Sequence, residues 1–403
     1  MRILIVNKFL YPNGGSETYI FKLGEELKRR GHEVQYFGME HEGRIVENHA
    51  QCYTANMDFH TGKLQKLLYP FKIIYSHEAA RKMSMVLKDM QPDVVHLNNF
   101  NFQLTPSVIY AIRKYNRRYG KKVRIIYTAH DSQLVCPNHM MQNPVTHECC
   151  EACLEKNQWQ CAKRRCIHGS RVKSILGSLE AGIYRSLKTY RLLDAVICPS
   201  YFLKGKLDTD PVLREKTVVL HNFLDVQENI SGIEKKDYVL YFGRYSEEKG
   251  IRTLAKVCRR LPQIPFHFAG SGPLESELKE IPNIELAGFL SGERLVKEIA
   301  QARFVVFPSE WYENCPYTVI EAQLYGTPVI GSDRGGTPEL LRDGETGELF
   351  ESGNEKMLEE KITDLWQNRE KLERYTKNCK RVHFDNAAEY VDKLMKLYQQ
   401  EDK

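Results

Sequence analysis

Glu313 and Glu321 bracket Pro316, and an apolar run with helical spacing follows. Upstream, Phe304 to Phe307 is short, apolar and closed by Pro308, so it reads as a buried strand. A strand, a loop carrying an acid and then a helix start form the layout of a site for a phosphorylated ligand. Pro316 suits the first helical position, where a missing N–H would have been unpaired anyway. The amides of Tyr317, Thr318 and Val319 then point out of the helix end. That end carries about half a positive charge and attracts phosphate. An ordinary strand-to-helix junction with a capping acid has the same local signature.

Three further strand ends carry related chemistry. Tyr238 to Phe242 opens into Gly243-Arg244-Tyr245-Ser246-Glu247-Glu248-Lys249-Gly250. Arg244 can grip two oxygens in a fork and Lys249 adds a point charge, a pair suited to a diphosphate. Phe266 to Ala269 runs into Gly270-Ser271-Gly272-Pro273, where glycines let a ligand approach the backbone. Gly335-Gly336-Thr337-Pro338-Glu339 follows the strand-like Pro328 to Gly331. Each segment alone fits a solvated turn. Together they match the rule that ligands of open parallel sheets collect at the carboxyl ends of the strands.

With these motifs in this order, the chain resembles the retaining glycosyltransferases of family 4. That family has the α/β GT-B architecture: two facing Rossmann-like domains with parallel sheets and a cleft between them. Arg244 and Lys249 match its G-R-x-S-x-E-K-G signature, and Glu313 and Glu321 match its E-x7-E signature. The resemblance covers essentially the whole chain. His130, at the end of the strand-like Arg124 to Tyr127, matches the family's active-site histidine. The loop Asn13-Gly14-Gly15-Ser16-Glu17 matches its G-G-x-E-like loop.

The resemblance implies catalytic roles for His130, Arg244, Lys249 and Glu313. It places Gly15, Gly270, Asn314, Cys315, Pro316, Tyr317, Thr318 and Glu321 around the donor with Arg244, Lys249 and Glu313. Glu321 would hold the ribose hydroxyls and Glu313 the donor sugar. Gly14, Asn98, Asn99 and Asp131 fall on the acceptor side, where side-chain amides suit neutral polyols because each supplies a donor and an acceptor. The implied reaction moves a hexosyl group from a nucleoside diphosphate sugar to an acceptor hydroxyl. The implied acceptor is a lipid-linked or growing polysaccharide in cell-envelope synthesis, such as a capsule. No metal is needed for catalysis, because the site has its own cations. The segment Asn314-Cys315-Pro316-Tyr317 departs from the family's usual G-F-G-x, which bears on the contact with the sugar. Another GT-B enzyme, a nucleotide-sugar epimerase or a phosphorylase, is the alternative reading.

The elements that must position these residues follow from periodicity. The chain has 403 residues, of which 42% are hydrophobic and 27% charged, as in a two-domain globular protein. Strand-like runs alternate with helical segments, which argues parallel sheets. In the first half the strands are Ile3 to Val6, Val34 to Phe37, Val94 to Leu97, Arg124 to Tyr127, Ala195 to Cys198 and Val218 to Leu220. In the second they are Tyr238 to Phe242, Phe266 to Ala269, Ile284 to Leu286, Phe304 to Phe307 and Pro328 to Gly331. Ser16 is expected to cap the first helix, with Ile20, Leu23 and Leu27 on one face and Gly31 as the stop. The expected domains are 1–224, with a cysteine-rich insertion at about 136–168, and 238–384, joined by a linker at 225–237. A final helix in 385–403 carries Val391, Leu394 and Tyr398 at helical spacing and is expected to return to the first domain.

Charge and composition restrict the partners. A net charge of +6 suits phosphorylated ligands or an anionic membrane surface and is too weak to argue for nucleic acid. The first apolar run is cut off by Lys8, too early for a signal peptide, and a cytoplasmic location is the expectation. Between Phe59 and Met90, Lys63, Lys66 and Lys72 alternate with Leu64, Leu67, Leu68, Phe71, Ile73 and Ile74. This stretch reads either as a basic amphipathic surface for peripheral membrane contact or as a core helix broken at Pro70.

Six of the eleven cysteines fall in one stretch: Cys136, Cys149, Cys150, Cys153, Cys161 and Cys166. Cys150-x2-Cys153 has metal-knuckle spacing, and with Cys136 and Cys166 it makes a candidate structural zinc site, Cys149 or Cys161 being substitutes. Such a long segment without apolar periodicity needs a staple, and disulfides are disfavoured in the cytoplasm. Free thiols and a zinc-stabilised nucleic-acid module are the other readings of the same residues.

Overall fold

The computed structural model describes residues 1–56, 72–226 and 233–400. The chain forms two compact units. The first comprises Met1–His221 together with Ala387–Lys403, and the second Asn222–Asn386. The expected linker lies partly outside the described residues, as do Lys63 and Lys66 of the expected amphipathic stretch.

Unit 1 is built on a parallel six-stranded sheet in the order β2-β1-β3-β4-β5-β6. Its strands are β1 (Arg2–Val6), β2 (Glu33–Phe37), β3 (Val94–Leu97), β4 (Arg124–Thr128), β5 (Ala195–Cys198) and β6 (Thr217–Val219). The central strands are near-continuous apolar runs because helices cover both faces: Ile3, Leu4, Ile5 and Val6 are all fully buried. Helix α1 (Gly15–Arg29) buries Tyr19, Ile20, Leu23 and Leu27 against the sheet. Its packing is close at Gly24, where a Cβ would meet the Tyr36 hydroxyl at 1.7 Å. Further long helices of this unit are α2 (His77–Met90), α3 (Ser107–Tyr119) and α4 (Arg171–Ser186).

The cap of α1 differs from expectation. The residue before the helix is Gly14 and makes no side-chain cap bond, so Ser16 lies inside the first turn. Its hydroxyl is used elsewhere, as described below. Residues Ala387–Gln399 form the last helix, here α10, which buries Tyr390, Val391, Leu394 and Tyr398 within unit 1. Arg30, at the end of α1, holds it by ion-pairing with Asp392 at 2.5 Å and donating to the Ala388 carbonyl at 2.6 Å.

Unit 2 repeats the plan with the order β12-β11-β10-β7-β8-β9, again parallel. Its strands are β7 (Val239–Phe242), β8 (Phe266–Ala269), β9 (Ile284–Gly288), β10 (Phe304–Phe307), β11 (Val329–Ser332) and β12 (Gly347–Phe350). Its helices include α5 (Ile251–Arg260), α6 (Gly292–Gln301), α7 (Tyr317–Leu324), α8 (Glu355–Gln367) and α9 (Arg369–Cys379). Strand β12 was not expected. Its four residues include Gly347 and Glu348, which hide the strand pattern. Glu348 is buried and paired with Lys361 at 2.8 Å and with Lys371, which tie α8 and α9 to this edge strand.

Candidate active site

The strand ends of unit 2 carry one connected arrangement. After β10, Ser309 and Glu313 turn inward: Glu313 is buried, and its Oε1 accepts from Lys249 Nζ at 2.6 Å and from Ser309 Oγ at 2.7 Å. Lys249 also lies over the Trp311 ring, 4.9 Å from its centre. The basic octet after β7 and the acidic loop after β10 therefore meet through one charged hydrogen bond, a strong kind of contact because both partners are ionised. Gly250, with φ +69°, makes the approach possible. A Cβ there would stand 1.9 Å from the Pro308 carbonyl oxygen.

The loop after β11 closes on the same acid. The Gly336 amide donates to the Glu313 carbonyl at 2.7 Å. Gly335 has φ +65°, and a Cβ on it would fall 2.2 Å from that carbonyl oxygen. The loop after β8 joins from the other side: the Tyr245 amide donates to the Ser271 carbonyl at 2.9 Å, and a Cβ on Gly270 would collide with the Gly243 carbonyl at 1.9 Å. Three of the glycines singled out in the sequence thus serve close backbone approach between loops.

Arg244 is exposed, and among the described residues it makes no ion pair with Glu313. Its carbonyl accepts from Tyr241 Oη at 2.7 Å, which fixes the backbone beneath it. Helix α7 begins at Tyr317, with Pro316 as its extended cap residue and not its first helical residue. The amide of Val319 already donates to the Pro316 carbonyl at 3.2 Å, so the expectation that it points free donates one amide too many to the helix end. Thr318 and Glu321 are partly buried on α7, and Asn314 is partly buried before it. Cys315 faces the core. Its Sγ and carbonyl accept from the Asn222 amide and side chain, and burial pushes its thiol up to about 12. It supports the loop through packing.

In unit 1 the residues assigned to the acceptor side also gather at strand ends. His130 Nε2 lies 2.9 Å from Asn98 Oδ1, and Asn98 Nδ2 donates to the His96 carbonyl at 3.3 Å. That orientation of the amide leaves Oδ1 as acceptor, so His130 carries its proton on Nε2. Burial pushes His130 down to about 3, which keeps the ring neutral. Asn99 donates through its side chain to Ser16 Oγ at 2.9 Å, and its amide donates to Asn7 Oδ1 at 3.0 Å. Ser16 donates in turn to the buried Glu17 at 3.0 Å, which Asn7 also binds at 2.9 Å. The glycine loop holding Gly14 and Gly15 is therefore latched to the β1 and β3 ends. Asp131 caps the following turn, accepting from the Gln133 amide at 2.9 Å. Asn7 and Ser309 were missed from the sequence. Each is a single polar residue after a strand, with no motif of its own.

The cysteines sort differently from expectation. Cys136, Cys153, Cys161 and Cys166 are buried, whereas Cys149 and Cys150 are partly exposed. Cys153, Cys161 and Cys166 form a small cluster of their own with Ile167 beside it. Cys161 lies near Cys166, and Cys136 near Cys153 and Cys166. Cys150, partly exposed, accepts from Arg164 at 3.4 Å. Among the described residues, no three of these sulfurs lie within 4.8 Å of one another.

The two six-stranded parallel sheets with their flanking helices have the α/β GT-B fold. The structure is similar over 99% of its length to 98% of sucrose-phosphate synthase from Thermosynechococcus elongatus, with a TM-score of 0.70 at 17% identity. It is likewise similar to Anabaena HepE in complex with UDP and glucose (TM-score 0.66, 17% identity, 98% of each chain). The family model described as Glycosyltransferase Family 4 matches residues 13–228, and the model described as Glycosyl transferases group 1 matches 225–382. The chain belongs to glycosyltransferase family 4 and is a glycosyltransferase. Among its relatives, an uncharacterized 42.6 kDa protein in the cps region of Klebsiella pneumoniae is 24% identical over 85% of this chain and 88% of its own. The O-antigen chain mannosyltransferase C of Escherichia coli is 26% identical over 51% of this chain and 60% of its own.

Proposed function

We propose that this enzyme transfers a hexosyl group from a nucleoside diphosphate sugar to an acceptor hydroxyl, with retention at the anomeric carbon, during cell-envelope polysaccharide synthesis. The observation that carries the reading is the Lys249–Glu313 bond, which joins a cationic loop to an acidic one at neighbouring strand ends. As the bond from the anomeric carbon to the diphosphate oxygen breaks, negative charge grows on the leaving group. Lys249 and Arg244 stabilise it electrostatically, as does the start of α7. The acceptor oxygen bonds to the anomeric carbon, and its proton is taken up by the departing diphosphate. Glu313 contacts the sugar, Glu321 the ribose, and neutral His130 lies on the acceptor side with Asn98, Asn99 and Asp131. The relatives support the pathway: one lies in a cps region and one is an O-antigen mannosyltransferase.

The acceptor in this reading is a glycan or a lipid-linked saccharide, met at the cytoplasmic face of a membrane. No described helix is long and apolar enough to cross a membrane. A groove of about 440 Å³ between α2 and α3 supports peripheral contact, being lined by Arg81, Lys88 and Lys114 with Tyr75, Met85 and Tyr110. Arg81, Met85 and Lys88 are exposed along one stripe of α2. Structural zinc also belongs to this reading, with Cys136, Cys153, Cys161 and Cys166 as its ligands in place of the set containing Cys150. Four thiols suit tetrahedral zinc, and side-chain rotation must draw the sulfurs in to bind it.

A thermal-shift screen against UDP-, GDP- and ADP-sugars, followed by product analysis with the stabilising donor, tests the function. A glycoside with the donor's anomeric configuration is expected. Free sugar epimer or sugar phosphate would favour an epimerase or a phosphorylase instead.

A further inference from the structure

Beside His130, five buried polar groups form one hydrogen-bonded chain. Tyr398 Oη lies 2.6 Å from His96 Nδ1, and His96 Nε2 lies 2.7 Å from Thr128 Oγ1. Thr128 Oγ1 lies 3.2 Å from Tyr19 Oη, which lies 2.8 Å from Tyr390 Oη. All five are almost completely buried. The chain starts and ends on α10, since Tyr390 and Tyr398 lie just over two turns apart. Its inner members come from β3, β4 and α1.

We infer that this chain positions His130, with Tyr390 and Tyr398 as its anchors, so that the last helix sets the geometry of the acceptor-side histidine. The inference rests on the placing of His130 in the active site. Each inner member reaches His130 by its own route. The His96 carbonyl orients Asn98, which holds His130 Nε2. Thr128 ends the strand from which His130 projects two residues later. The Tyr19 ring packs edge-on against His130, with centres 5.0 Å apart. His96 is neutral, so one ring nitrogen donates while the other accepts. The hydroxyls of Tyr398 and Thr128 are therefore set in opposite senses, and a change at either end of the ring is felt at the other. Buried polar groups linked in this way stay in place only while each keeps its partner. None of these groups faces substrate, so they are positioning residues.

The test uses the full chain, three conservative variants and one reference variant. Tyr398→Phe and Thr128→Val each remove one hydroxyl and keep the shape. Thr128→Ser keeps the hydroxyl, and His130→Ala is the reference. Turnover is read as diphosphate release from whichever of UDP-glucose, GDP-mannose or ADP-glucose the enzyme uses. The ring nitrogen signals of His96 and His130 are read by NMR. Tyr398→Phe and Thr128→Val are expected to lose about tenfold in kcat with the donor KM within twofold. Both are expected to shift the His130 ring signals, and Thr128→Ser to restore both readouts. If both variants keep wild-type kcat and unshifted His130 signals while His130→Ala is inactive, the inference fails and the functional assignment stands. If His130→Ala keeps full activity, the assignment of His130 fails instead, and the NMR shifts still report whether the chain holds the ring.

Discussion

Lys249 Nζ and Glu313 Oε1 lie 2.6 Å apart, although 64 residues separate them in the chain. Glu313 is 9% exposed at its side chain and Lys249 is 24% exposed. Removing the cation therefore leaves a buried carboxylate with Ser309 as its remaining donor in this bond. Losing one partner of a buried pair costs about 3–5 kcal/mol, and partial exposure of the lysine reduces this to about 2 kcal/mol. Lys249→Met is expected to lower unfolding stability by that amount. Glu313→Gln in the same chain should recover about half of it, because a neutral amide tolerates burial without a cation. A double-mutant cycle in urea checks the coupling.

The glycine loop beside Glu313 gives a prediction with an internal control. Gly335→Ala puts a Cβ within 2.2 Å of the Glu313 carbonyl oxygen at a left-handed φ. Gly344→Ala is also left-handed, but nothing stands within 4 Å of its Cβ. Conformation alone costs about 1 kcal/mol, so Gly344→Ala should lose about that much and keep its activity. Gly335→Ala should lose at least about 2 kcal/mol and most of its turnover, since Glu313 must shift. Thermal unfolding and donor turnover of the pair test this.

Much of this arrangement was legible from the sequence, for identifiable reasons. Strands buried on both faces leave short apolar runs, and Val94–Leu97, Ala195–Cys198, Phe266–Ala269 and Phe304–Phe307 have the expected ends. The final helix was legible because Val391, Leu394 and Tyr398 repeat at helical spacing. Strand β12 was hidden because Glu348 is buried by cross-element pairs with Lys361 and Lys371, which no local pattern reveals. The cap of α1 was misplaced because Ser16 is bound by Asn99, 83 residues away. The roles of Asn7 and His96 were hidden for a similar reason: Asn7 is bound by Asn99 and His96 by Thr128 and Tyr398, all far away in the chain.

Two histidines, fully buried His96 and partly buried His130, set an acid limit. Burial pushes both His96 and His130 down to about 3, below the ordinary value of 6.5. The unfolded chain binds protons at these sites first, so each contributes stability that is present above about pH 6.5 and lost as pH falls towards 3. The slope approaches about 1.4 kcal/mol per pH unit for each ring. NMR titration from pH 8 to 5 should leave both rings neutral. Uptake of a proton by either ring near pH 6.5 would show that its site is open to water.

Metal analysis tests the zinc reading. The expected result is about one zinc per chain, retained in Cys150→Ser and lost in Cys161→Ser. Below about 0.3 zinc per chain with all eleven thiols titratable, the cysteines are free. Disulfides among them in mass spectra would equally remove the site.

The account turns on stabilisation of a departing diphosphate, and the most direct measurement of it is the turnover of Arg244→Ala. Arg244 is exposed and lies outside the Lys249–Glu313 bond, so its loss leaves the fold intact. Removing one charge-stabilising donor costs about 3 kcal/mol, or roughly 10²-fold in rate. The prediction is a loss of that size in kcat with unchanged thermal unfolding. Wild-type turnover in the folded variant would contradict the account.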